Sequence, residues 1–436
     1  MVQPRSLECQ NASVFTCFSS LEALSVMRAE STEALGIDLA DPRHYEHDAA
    51  RDLFARLRGE RPIWWSPQAD GRGFWSVLRY RDIVTVSKNP RLFSSARSLG
   101  GHRIHDETEV EITQGLEASM LSMDPPEHNT YRGMVSPAFT AERIRRLEAS
   151  IRARVTALLD RIAPSGGCEF VSSVAAELPI QVIAELLGVP QEDRLRLFEW
   201  SNALVGEDDP DMRRSEEHIR QCTKDMGAYA LKLWRERLRR PGDDLVSMLV
   251  GTEADGEGMS VPRYFATFFL LVIAGNESVR NTLSGGLLAL SRYPEQRRKL
   301  VEQPALIPQA VKELVRWVSP FLHMRRTATE DTELAGQRIA RGDKVVLWYL
   351  SANFDEEVFE QPERFDVTRA GPQHLSFGQG QHFCLGWRLA ELQLTVLFQE
   401  LLRRFPDMEP HGPVRRVRSN FVRGIKELPV RFTPER

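Results

Sequence analysis

The chain has 436 residues, 42% hydrophobic and 27% charged, with a net charge of −4, so it can bury a large core and has no basic excess of the kind nucleic-acid binding requires. Its five cysteines, at 9, 17, 168, 222 and 384, are odd in number and lack paired spacing, which argues against a disulfide framework and for a reducing, cytoplasmic compartment. The longest apolar run, Phe265 to Gly275, is too short to span a bilayer, so no membrane anchor is expected.

The N-terminus carries one early arginine and an apolar stretch, interrupted by Ser, Cys and Asn, up to Met27, which makes a poor signal peptide. Ile63, Trp64 and Trp65, the turn-rich Asp70-Gly71-Arg72-Gly73 and then Phe74 to Val77 predict a hairpin of a small sheet. A helix bearing Ile83 and Val86 follows and stops near Asn89-Pro90. Residues 94–117 are polar and weakly periodic, and a long loop of that kind inside a compact domain is usually functional or mobile. At Asp124-Pro125-Pro126-Glu127 a helix start is expected, with Asp124 as cap, Pro125 in the first helical position and Glu127 completing a capping-box-like arrangement. On that helix His128 and Arg132 are four apart and share a face; by default such a pair is simply solvated.

From Ala141 to about Leu249 the pattern is helical, with an acidic loop at Gly206 to Met212 expected to join two helices that open and close over a ligand. Pro262 to Arg292 reads as a long apolar helix with a polar knot inside it, Ala274-Gly275-Asn276-Glu277-Ser278. Polar residues in a buried helix are costly without a purpose. Ser278 can also bond the carbonyl four residues earlier and bend the helix. Ile307 to Val318 predicts a shorter helix on which Glu313 and Arg316, three apart, can pair among Val311, Leu314, Val315 and Val318. Ser319-Pro320 ends it, and strands follow His323-Met324-Arg325-Arg326, with turns at Ala335-Gly336 and Arg341-Gly342.

The stretch Phe377 to Gly386, FGQGQHFCLG, places Cys384 in a glycine-broken loop that enters a helix marked by Leu394, Phe398, Leu401 and Phe405. Free backbone N–H groups and the positive helix end favour a thiolate there, and glycines let a flat ligand approach the backbone. A lone cysteine is more often a small buried hydrophobe. His382 with Cys384 can also be half of a zinc site, but no second Cys/His pair lies at zinc spacing nearby.

Phe377, Gly378, Gly380, His382, Cys384 and Gly386 match six fixed positions in ten of a pattern that resembles the haem-binding signature of the cytochrome P450 monooxygenases. The resemblance implies a mainly α fold, with haem b between the long central helix and the Cys384 loop and small β-sheets to one side. It implies one haem domain over 35–436, with residues 1–34 an extension, disordered or mis-started. Cys384 would ligate the iron; His128, Arg132 and Arg326, with His382, Phe377, Gly378 and Gly386 of the loop, would hold the haem. Ala274 to Ser278 resembles the family's oxygen-activating motif, with Ala274 and Gly275 shaping a groove, Ser278 in place of the usual Thr, and Glu277 bringing protons. Glu313 and Arg316 resemble its structural Glu-x-x-Arg, with Arg364 as third member. Leu270, Ile273, Leu322, Phe421 and Val422 would line the substrate pocket.

The activity implied is insertion of one oxygen atom of O2 into an apolar small molecule, with NAD(P)H electrons passed by a separate ferredoxin reductase and ferredoxin to a monomeric enzyme. His323 to Leu334, Ser351 to Phe359 and the Cys384 region resemble bacterial members that hydroxylate alkanes, fatty acids, terpenes or steroid side chains. Tailoring of a polyketide or peptide is the alternative. A peroxide-driven peroxygenase and a non-catalytic haem binder fit less well, because neither needs the Glu277–Ser278 pair.

Overall fold

The computed structural model describes residues 38–46, 50–68, 73–104, 119–205, 209–212, 214–251, 253–254 and 257–435. The N-terminal extension, the hairpin turn at Asp70 to Arg72, residues 105–117 of the long loop and Gly206 to Asp208 lie outside the described residues.

The expected hairpin forms from β1 (Ile63–Ser66) and β2 (Phe74–Val77), antiparallel with Ile63 opposite Val77. Every residue of both strands is buried, so both faces of this sheet are covered, which is why the sequence there is nearly continuous in apolar residues. With β3 (Phe93–Ser94), β4 (His323–Ala328) and β5 (Lys344–Trp348) it makes a sheet in the order β1-β2-β5-β4-β3. Only the β2–β5 contact is parallel. It ties the early hairpin to a strand from the last quarter of the chain. A late hairpin of β6 (Arg415–Arg416) and β7 (Ile425–Glu427) places Phe421 at its tip.

The remainder is mainly α, as expected. The helices that position the site are α1 (Glu127–Val135), α2 (Glu177–Leu187), α3 (Arg194–Val205), α4 (Glu216–Arg239), α5 (Val261–Arg292), α6 (Ile307–Val318) and α7 (Trp387–Arg404). Helix α5 begins where Ser260 accepts a hydrogen bond from the Arg263 N–H, with Pro262 in its first turn, the position that tolerates a missing donor. It is buried on nearly every side by α2, α3, α4, α6 and α7, and this explains its apolar composition all round.

Two local expectations are corrected. Helix α1 starts at Glu127 without a side-chain cap. Asp124 instead turns back, taking the Ser95 N–H at 2.8 Å and the Ser94 hydroxyl, so it fastens the end of β3 to the start of α1. The third partner of the Glu313–Arg316 pair is Arg369, not Arg364. Arg369 Nε lies 3.1 Å from Glu313 Oε2, whereas Arg364 is 60% exposed and reaches only Gln361 and, at 3.8 Å, Asp366. The turn after Phe365 brings the Asp366 N–H to 3.1 Å from Glu313 Oε1, and that reversal delivers Arg369 while leaving Arg364 outside.

Helix α6 is thereby joined to the cysteine loop. Arg316 makes a two-pronged bond to Glu313 at 2.7 and 2.8 Å, and its third nitrogen donates to the Asn353 carbonyl at 2.7 Å. Asn353 donates to the hydroxyls of Ser319 and Ser376 and accepts the Leu375 N–H at 2.7 Å. All are buried, so the segment entering Phe377 is held by fully satisfied polar groups.

Candidate functional site

The loop from Phe377 to Gly386 folds on itself: the Cys384 N–H donates to the Phe377 carbonyl at 2.8 Å and the Phe383 N–H to that of Gly380 at 3.1 Å. Gly378 and Gly380 have φ of +70° and +72°. Gly380 also has no room for a side chain, since a Cβ there would lie 2.3 Å from the Ser87 carbonyl oxygen. Gly386 caps α7, and a Cβ on it would make only ordinary contact with Phe139. Burial pushes the Cys384 thiol up to about 11, against the opposing pull of the Gly386 N–H and the Arg132 charge. The helix-end argument for a free thiolate is therefore outweighed by desolvation, and a bound metal cation is what would deprotonate this sulfur.

Above the loop lies a cavity of about 810 Å³, walled by α5 on one side and by Phe377, Gly378, His382, Cys384 and Gly386 on the other. His128, Arg132, Arg326, Leu270, Ile273, Ala274, Ser278 and Phe421 also line it, so the structure brings together most of the residues singled out in the sequence. Leu322 and Val422 are exceptions: both are buried without lining the cavity. The Leu322 N–H donates to the Phe421 carbonyl, and its own carbonyl accepts from Tyr349, which seats its side chain in the core. Their chain neighbours Phe321 and Phe421, with ring centroids 5.2 Å apart, take the wall instead. The slip is of one residue, which in extended chain reverses the face.

The cavity fits a flat group bearing carboxylates. Arg326 is 4% exposed, and its Nη1 donates to the neighbouring Arg325 carbonyl at 2.7 Å. Burial holds its pKa below the usual guanidinium value. His382 has a buried Nε2 without a hydrogen-bond partner among the described residues, and its ring lies 4.4 Å from that of His128. Burial first, then the charges of Arg326, His128 and Arg132, presses the His382 pKa to about 2. Buried donors of this kind call for an anionic acceptor. Arg132 has a protein partner as well, donating to the Phe383 carbonyl at 2.7 Å and so bracing the cysteine loop. His102, which the sequence did not single out, joins this wall with Nδ1 2.7 Å from the Ser122 hydroxyl.

On α5 the polar knot splits between two surfaces. Ser278 faces the cavity and bonds back to the Ala274 carbonyl at 3.1 Å, while Thr282, also on the cavity wall, bonds the Ser278 carbonyl at 2.8 Å. Glu277, one residue round the helix, does not line the cavity. It is buried against Arg280, with Asn281 Nδ2 3.0 Å from its Oε1. Arg280 in turn donates to Asn202 of α3 at 3.0 Å, and Asn276 to Ser201 at 3.1 Å. Gly275 lets α5 lie close to α2: a Cβ there would come 3.0 Å from Ile183 Cδ1, which would have to shift. Arg280 and Asn281 stand three and four residues after Glu277, the spacing that marks helical partners.

The sequence model described as Cytochrome P450 matches residues 179–429. Linalool 8-monooxygenase of Pseudomonas putida is 44% identical over 91% of this chain and 99% of its own. A methyl-branched lipid omega-hydroxylase of Mycobacterium bovis is 42% identical over 88% and 92%. Among solved structures, a Mycobacterium marinum cytochrome P450 in complex with pseudoionone superposes with a TM-score of 0.85 at 39% identity, covering 91% of this chain and 98% of that one. Among the described residues no helix is long and apolar enough to cross a membrane. With a cysteine loop facing a long central helix across a cavity that fits a flat carboxylated group, the chain belongs to the cytochrome P450 family and is a haem-thiolate monooxygenase that draws on NAD(P)H through redox partners.

Proposed function

We propose that this enzyme hydroxylates an apolar, terpene-like or branched-lipid molecule in the cytoplasm, as a monomer with residues 35–436 forming one haem domain, and with electrons from a ferredoxin and its reductase. The observation that carries this is a mainly apolar cavity wall, with Phe265, Phe269, Leu270, Ile273, Phe321 and Phe421 facing the space and a few polar side chains, Arg103, Glu216 and Thr223 among them, beside these. The names of the linalool and methyl-branched lipid relatives support the same substrate class.

Cys384 Sγ is the iron ligand in this reading. His128, Arg132, Arg326 and His382 hold the carboxylates of the haem, which supplies oxygen activation and transfer once bound. The aromatic wall orients the substrate and excludes water. The Ser278 hydroxyl holds a proton on the cavity side of α5, and Glu277 resupplies it from the buried side by leaving Arg280. Binding can be read from the Soret band. Linalool-type alcohols and methyl-branched fatty acids should shift it, and labelled O2 should place one atom in the product. A shift given only by macrolide-sized or peptidyl ligands would overturn the substrate class.

A further inference from the structure

One residue of the cavity wall, Phe265, is packed from outside the cavity. Phe265 and Phe269 pair edge to face on α5, with centroids 4.6 Å apart, and both line the cavity. Phe265 stands thirteen residues before Ser278, hence about 20 Å along the helix axis from that hydroxyl at 1.5 Å per residue. On its other side the Phe265 ring fills a notch on α4. The notch exists because residue 227 is a glycine: a Cβ there would lie 2.6 Å from Phe265 Cζ and 2.7 Å from Cε2. The third nearest atom belongs to the same ring, at 3.7 Å. Gly227 itself does not line the cavity. A glycine inside a 24-residue helix weakens that helix relative to alanine, so the position calls for a reason other than helix stability.

We propose that Gly227 is a specificity-determining position: by ceding its Cβ space to the Phe265 ring, it sets the length of apolar ligand the cavity accepts. The three atoms nearest a side chain at 227 all lie on the edge of a ring that turns about two torsions and that faces the open space of the cavity on its other side. The added methyl group is thus passed through Phe265 into the ligand's space, while the backbones of α4 and α5 need not part. The inference rests on the reading that the cavity holds an apolar ligand over the haem, and its test does not depend on the natural substrate.

The experiment uses a homologous series of 1-alkylimidazoles of increasing chain length, whose ring nitrogen ligates haem iron while the tail runs along the cavity. Affinity is read from the Soret shift of the holoenzyme. Gly227→Ala should leave short members unchanged and weaken the longest about tenfold or more, because overpacking strains only tails that reach Phe265. Phe265→Leu alone should favour longer tails, and Gly227→Ala with Phe265→Leu should recover the wild-type length profile. Equal weakening at every length, no change at any length, or no recovery in the double variant would each overturn the proposal. So would loss of haem in both Gly227→Ala and the double variant, since the ring would then not be what the methyl group displaces. If the imidazoles behave as expected but no terpene or branched lipid shifts the wild-type spectrum, the substrate class falls and the length device stands.

Discussion

Ser278 and Glu277 are neighbours in sequence but face opposite environments, and this separates the effects of changing them. The Ser278 hydroxyl lies on the cavity wall with one bond, to the Ala274 carbonyl. Removing it should leave NAD(P)H consumption running while more of the oxygen is lost as peroxide. Ser278→Ala should therefore lower product formed per NAD(P)H, and unchanged coupling would show that an ordered water does the work. Glu277→Gln keeps the shape but not the charge, so it should slow turnover and enlarge the solvent isotope effect. Its pairing with Arg280 could have been read from their spacing; the link onward to Asn202 could not, because it crosses from α5 to α3. A second residue makes a pH prediction. His374 is buried, and that burial, with the charges of Arg316 and Lys312, lowers its pKa to about 3. An unfolded histidine titrates near 6.5, so below about that pH the unfolded chain binds the extra proton. The contribution to stability is full above 6.5 and is lost as pH falls toward 3, by about 2 kcal/mol between pH 7 and pH 5. Melting temperatures of the holoenzyme should fall more steeply with acid in the wild type than in His374→Gln; parallel curves would exclude this role.

At the scale of elements, α6 holds the cysteine loop through buried charge. The Arg316 and Glu313 side chains are 2% and 1% exposed, and removing one partner of such a pair costs about 3–5 kcal/mol. Arg369 completes the clamp on Glu313, so Arg369→Ala should lower the melting temperature and haem retention clearly, while Arg364→Ala, at an exposed site, should change stability by less than about 0.5 kcal/mol. Equal effects of the two substitutions would return the third place to Arg364. The pair within α6 was legible from its spacing and its apolar neighbours. The third member was not, because it depends on how the chain reverses between Phe365 and Arg369, and no periodicity encodes that turn. The same limit applies to Leu322 and Val422, where composition marked the right segment and the path of the extended chain decided the face. The helices, the hairpin and the cysteine loop were legible because each carries its own period, cap or glycine.

Over the whole molecule the net charge is −4, so attraction to an acidic electron donor has to come from a local arrangement of cations. Arg388 and Arg132 flank the cysteine loop, but they are not equivalent. Arg132 is half-buried, and its guanidinium is already used by the Phe383 carbonyl. Arg388 is exposed in the first turn of α7, four residues from Cys384, and stacks over the Trp387 ring with Cζ 4.3 Å from the centroid. Stacking fixes the cation in place without neutralising it. Arg388→Glu is therefore the cleaner probe of a docking face, since Arg132→Glu would also loosen the loop that presents the sulfur. An exposed charge acts over roughly a Debye length, about 10 Å at 0.1 M salt, and it mainly governs how fast partners meet. Electron transfer from an acidic ferredoxin should slow as salt rises, and Arg388→Glu should slow it several-fold at low salt with little difference at high salt. The CO spectrum and haem content of the variant should be unchanged. A rate indifferent to salt and to this substitution would place the electron donor on another face of the protein.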